Sequence, residues 1–201
     1  MRICFVGDSF VNGTGDPEYL GWTGRICAVA RSWGYDITYY NLGIRRETSA
    51  DILARWPAEV DRRLTPEVEG KIVFSFGVND TTIAARKIEE AGSTRVQLAD
   101  SIANTREIML AGKARSPILM VGPPPIADRE QNLRISHLSG EISSVCQQLE
   151  VPYLDAIAPL EKSAIWMEEA SANDGAHPGA AGYKELAKLV QNWQGWLSWF
   201  K

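Results

Sequence analysis

The chain has 201 residues, 45% hydrophobic and 23% charged, with a formal net charge of −4. That composition excludes a disordered or fibrous chain, and the charge gives no basic footprint for nucleic acid or for an anionic membrane surface. Cys4, Cys27 and Cys146 form neither a CxxC pair nor a disulfide framework, and no apolar stretch approaches the roughly 18–20 residues of a membrane span.

Residues 2–6 are a short β-rich run that stops at Gly7. A helical pattern over 23–33 follows, then a second strand over 36–40 that ends at Asn41. An amphipathic stretch over 50–64 leads to a third strand, 71–76, stopped by Gly77. A long helical pattern over 94–114 precedes a fourth strand, 117–121, broken by Gly122 and three prolines. A helix over 135–149, a short fifth strand over 151–154 and a closing helix over 180–199 complete the chain, with Pro178 suited to the first turn of the last helix. Near-continuous apolar strands are buried on both faces, which means a parallel sheet. Strand–helix alternation makes it doubly wound. The expectation is a single α/β domain over 1–201, a three-layer α/β/α sandwich around a flavodoxin-like five-stranded parallel sheet.

Ligands bind such sheets beyond the carboxyl ends of the strands. Three candidate residues meet that condition. Ser9 follows the first strand in Gly7-Asp8-Ser9-Phe10, although taken alone Asp-Ser reads better as a cap or turn. Asn79 follows the third strand, where an amide can donate to a developing oxyanion. His177 lies in a turn-rich loop three residues after Asp174. A serine hydroxyl needs a neighbouring base, and the base needs an acceptor on its other ring nitrogen. The other histidine, His137, sits in an amphipathic run and reads as helix surface or core edge.

Taken together, these blocks resemble the SGNH (GDSL-like) hydrolases. The first is Gly7-Asp8-Ser9-Phe10, with phenylalanine in place of the usual leucine. The second runs from Asn41 to Thr48, the third is Gly77-Val78-Asn79-Asp80, and the last is Asp174-Gly175-Ala176-His177. The resemblance implies a serine esterase or acylhydrolase working through an acyl-enzyme, with no metal or organic cofactor. Ser9 is its nucleophile, His177 its base and Asp174 the third triad member. The oxyanion donors are the Ser9 N–H, the Asn79 amide and the N–H at the second block's usual glycine. Spacing puts Arg46 at that last position. Arginine keeps the N–H, but a demand for positive φ makes it costly there, with Gly43 or a two-donor hole as the alternative. The Arg46 guanidinium either pairs with an anionic group of the substrate at the pocket mouth or lies solvated beside Arg45.

The expected partner is a small-molecule ester of a short or medium acyl group, with no nucleic acid and no membrane span. The absence of an apolar leader points to the cytoplasm. The loop 123–132 reads as a stiff pocket rim. Ile165, Trp166 and Met167 read as core or as acyl-site lining. Trp193, Trp196, Trp199 and Phe200 dock on the chain's own helices or form a homo-oligomer contact. Two rival functions share these features. One is an acyltransferase using the same triad. The other is a phosphate- or nucleotide-binding module on Gly7, Gly13 and Gly15, which matches no phosphate-loop spacing and leaves Asp-x-x-His unused.

Overall fold

The computed structural model describes residues 1–84 and 93–200. Five strands form one sheet: β1 (Arg2–Gly7), β2 (Thr38–Gly43), β3 (Gly70–Ser75), β4 (Ile118–Val121) and β5 (Tyr153–Leu154). Their order is β2-β1-β3-β4-β5 and every pairing is parallel. This is the expected flavodoxin-like α/β sandwich.

The two-residue period of the strands divides the core. Ile3 and Phe5 of β1, Val73 of β3, and Leu119 and Val121 of β4 face one layer. Cys4 and Val6, Ile72 and Phe74, and Ile118 and Met120 face the other. Against the first face pack α1 (Ser9–Asn12), α2 (Gly21–Ser32), α6 (Ile157–Glu161), α7 (Ala164–Ala172) and α8 (Ala180–Gln191). Against the second pack α3 (Ser49–Asp61), α4 (Leu98–Lys113) and most of α5 (Arg129–Gln148). The strands are drawn together closely enough that a Cβ on Gly7 would stand 1.9 Å from the Ser75 carbonyl oxygen, so only glycine fits at the end of β1. Among the described residues, no helix is long and apolar enough to cross a membrane.

Several sequence expectations need correction. The second strand lies at Thr38–Gly43, two residues later than its apolar signal, and as an edge strand it is only partly buried. Pairing with β1 sets its register, and Gly43 lies opposite Gly7. Helix α4 begins at Leu98, because residues 94–97 are drawn into a bridge between Thr94 and Ile83. Helix α5 begins six residues early, where the Asp128 carboxylate accepts the Gln131 N–H as a cap. Of the loop read as a stiff pocket rim, Pro123, Pro124 and Pro125 are buried and Asp128, Arg129 and Glu130 are exposed. The closing helix stops at Gln191 and restarts as α9 (Gln194–Leu197), followed by a 3₁₀ turn over Ser198–Phe200. Trp196 and Phe200 pack on Phe5, Trp33 and Tyr35 of the same chain. Trp166 is core and donates its indole N–H to the Pro125 carbonyl at 2.9 Å. The three cysteines are buried and free.

Candidate active site

The site is assembled at the carboxyl end of the sheet. Ser9 is the first residue of α1, directly beyond β1. Asp8 caps that short helix by accepting the Phe10 N–H at 2.9 Å. His177 lies in the loop between α7 and α8. Its Nε2 is 2.7 Å from Ser9 Oγ, and its Nδ1 is 2.7 Å from Asp174 Oδ2. The other Asp174 oxygen accepts the N–H groups of His177 (2.8 Å) and Ala176 (3.0 Å). Burial works against the charge on Asp174, but these N–H groups and the imidazole outweigh it and hold the carboxyl at about 2. An ionised carboxylate can only accept, so Nδ1 carries the proton and Nε2 is left to accept from the serine hydroxyl. The imidazole is further held by the Phe10 ring, whose centroid is 4.8 Å away, and by Asn173, whose amide donates to the His177 carbonyl at 3.0 Å.

Asn79 follows β3 and places its amide between two acceptors, the Glu47 carbonyl at 2.8 Å and Asp8 Oδ2 at 3.4 Å. Its neighbour Asp80 has a structural use, accepting from the Ser49 N–H and the Ser101 hydroxyl, both at 2.7 Å, and so tying α3 to α4. Arg46 is exposed in the turn after β2 with φ of +69°. The turn thus imposes the left-handed backbone that makes arginine costly, and the residue adopts it nonetheless. Gly43 cannot act as the substitute donor, because its N–H is committed to Asn41 Oδ1 at 3.0 Å. The Ile44 N–H is likewise taken, by the Gly7 carbonyl. Among the described residues, the N–H groups of Ser9 and Arg46 have no protein acceptor. Replacing Arg46 by glycine is expected to raise stability by roughly 0.5–1 kcal/mol, because relief of about 1–2 kcal/mol of left-handed strain is offset by added freedom in the unfolded chain. Urea unfolding of the two proteins measures the difference.

Asp8 is wholly buried beside the site. Desolvation first, then the nearby Asp80 and Glu47 charges, push its carboxyl up to about 7 against the opposing Phe10 N–H. A raised carboxyl holds its proton longer in the folded state. The stability it confers is therefore complete below the ordinary carboxylate range and is lost as pH rises through about 7. Unfolding midpoints measured from pH 4 to 8 are expected to fall more steeply for the native chain than for Asp8→Asn.

One part of the site had no sequence signal. The loop between α1 and α2 is built on a buried Asp16–Arg25 pair. Asp16 also accepts the N–H groups of Glu18 (3.0 Å), Leu20 (3.2 Å) and Gly21 (2.8 Å). Burial opposes its charge, yet Arg25 and these donors keep Asp16 below its usual value. The glycines considered for phosphate therefore serve a different purpose. Gly13 ends α1 with φ of +84° and packs on Gly21, and the carboxylate of Asp16 occupies the loop that an anion would need.

The chain is similar to known proteins in sequence and in fold. The profile of the GDSL-like Lipase/Acylhydrolase family matches residues 5–185. The chain is 26% identical over 191 residues to Esterase TesA of Pseudomonas aeruginosa, covering 94% of this chain and 86% of the relative. Two solved folds are similar. The lipase/acylhydrolase from Enterococcus faecalis has a TM-score of 0.73 at 20% identity, with 94% and 93% of the two chains covered. Axe2, an acetylxylan esterase from Geobacillus stearothermophilus, has a TM-score of 0.75 at 18% identity, with 96% and 95% covered. A doubly wound sheet with serine, asparagine and Asp-x-x-His at its carboxyl end, and a family match across nearly its whole length, show that this chain belongs to the GDSL-like lipase/acylhydrolases, the SGNH serine hydrolases that act on ester bonds.

Proposed function

We propose that the chain acts as one domain that cleaves small-molecule carboxylic esters of short or medium acyl groups, and thioesters with them, through an acyl-enzyme on Ser9. His177 takes the Ser9 proton as the oxygen attacks the acyl carbonyl, and Asp174 holds the imidazole and stabilises its charged form. The carbonyl oxygen, now negative, is met by the N–H groups of Ser9 and Arg46 and by the Asn79 amide, which keeps its 2.8 Å bond to the Glu47 carbonyl and gives up the long 3.4 Å one to Asp8. Losing one such donor costs about 2.7–4 kcal/mol of barrier. His177 then protonates the leaving alcohol. Water, activated by the same imidazole, releases the acid and restores the serine. This chemistry asks for no cofactor.

The observation that carries this reading is the hydrogen-bonded series Ser9–His177–Asp174, with both steps at 2.7 Å. Short acyl groups are favoured because Trp166, a candidate for acyl-site lining, is buried in the core. Incubation with an organophosphonate followed by peptide mass analysis tests the reading. Modification of Ser9 is the expected result; modification elsewhere, or none, would refute it.

A further inference from the structure

The three oxyanion donors of that mechanism lie on segments far apart in sequence, and one side chain reaches the backbone behind all of them. Arg55 sits in α3, three residues after Ile52 and beside Trp56, the buried pair that seats this helix on the sheet. Its side chain is only 16% exposed. Nη2 donates to the Gly7 carbonyl at 3.1 Å and to the Leu42 carbonyl at 2.9 Å, near the ends of β1 and β2. Nε donates to Glu47 Oε2 at 2.6 Å, and Nη1 to Glu59 Oε1 at 2.9 Å.

Glu59 aside, these acceptors bear on the oxyanion donors. Gly7 stands two residues before Ser9, and its carbonyl also receives the Ile44 N–H at 3.0 Å. That bond joins the end of β1 to the turn carrying Arg46. Glu47 follows Arg46 directly, so fixing its carboxylate fixes the turn at the residue with φ of +69°. The Glu47 carbonyl in turn accepts the Asn79 amide at 2.8 Å. The Ser9 N–H, the Arg46 N–H and the Asn79 amide are therefore all referred to one guanidinium. Such donors stabilise a developing charge only if they are fixed before it appears. Arg55 also offsets the charge of Glu47, a carboxylate that would otherwise oppose an oxyanion nearby. A planar fork can serve a carboxylate and two carbonyls at once, whereas an ammonium is a single point of charge.

We propose that Arg55 is a positioning residue for ester cleavage, which sets the spacing of the three oxyanion donors through Gly7, Leu42 and Glu47 without touching the substrate. The proposal rests on the ester-cleaving reading above. Arg55→Lys keeps the charge and loses the fork. It is expected to lower kcat for phenyl acetate about 10²-fold and to leave KM within about twofold. The inhibition constant of trifluoroacetophenone is expected to rise by the same factor. The Ser9 oxygen adds to the carbonyl carbon of this ketone, His177 takes the proton, and the carbonyl oxygen becomes an oxyanion that needs the same donors. Titration with an organophosphonate counts the active sites, so a poorly folded fraction would lower turnover and titre together and leave the inhibition constant unchanged. Glu47→Ala frees the turn but keeps the carbonyl that holds Asn79. It is expected to lower kcat about tenfold, with a matching rise in the inhibition constant. Glu59→Ala removes the other ion pair of Arg55, one helical turn farther along α3, and is expected to change either quantity by less than about twofold. Native kcat in both Arg55→Lys and Glu47→Ala, a loss of kcat with no change in the inhibition constant, or an equal loss in Glu59→Ala would overturn the positioning role while leaving the hydrolytic reading intact. Failure of the native chain to turn over any ester would overturn both.

Discussion

Ser9→Ala and His177→Ala are each expected to lower ester turnover by about 10⁴–10⁶-fold, and the double variant to be no slower than either single one. The reason is geometric. The Ser9 hydroxyl has the His177 imidazole 2.7 Å away as its base, so removing either member leaves the other without its function. Non-additivity is the signature of groups that act as a unit. Ser9→Ala removes one oxygen and one hydrogen bond, so its thermal midpoint is expected to stay close to that of the native chain. Steady-state rates on a simple acetate ester measure the effect. Additive losses, or substantial turnover by a well-folded Ser9→Ala protein, would remove the serine from the mechanism.

Asp174→Asn is expected to lower turnover by about 10⁴-fold with little change in the loop around it. The introduced amide oxygen still accepts the N–H groups of Ala176 and His177, but its NH₂ presents a donor to Nδ1. The imidazole must then move its proton to Nε2, the nitrogen that has to accept from Ser9. The substitution also changes the acid limb of stability. Asp174 is held at about 2, below the ordinary carboxylate value. It therefore contributes stability above that ordinary value and loses it as pH falls toward 2. Asp174→Asn is expected to lack this acid-dependent loss, which unfolding midpoints between pH 2 and 5 would reveal. Equal turnover by the native chain and the Asp174→Asn variant would show that the carboxylate does not orient the base.

The sheet was legible because burial on both faces leaves a run of apolar residues that no solvent-exposed segment shares. Residues 2–6, 71–76 and 117–121 carried that mark and became β1, β3 and β4. The edge strand carried it two residues out of place, since Thr38 is exposed and Asn41 half-buried, and only pairing with β1 decided its register. The caps at Asp128 and the bridge at Thr94 moved helix ends by several residues, because a helix start depends on which acceptor reaches the first free N–H groups.

Residue order along the chain determined the fold class and brought Ser9 and Asn79 to strand-end loops, because parallel connections place those loops on one side of the sheet, and the Asp174-x-x-His177 pair meets them from the loop between α7 and α8. Tertiary structure alone decided the backbone cost at Arg46, the burial of Asp8, and the Asp16–Arg25 pair that fixes the loop between α1 and α2. These depend on distances between segments far apart in sequence and on exclusion of water, and neither leaves a local pattern to read.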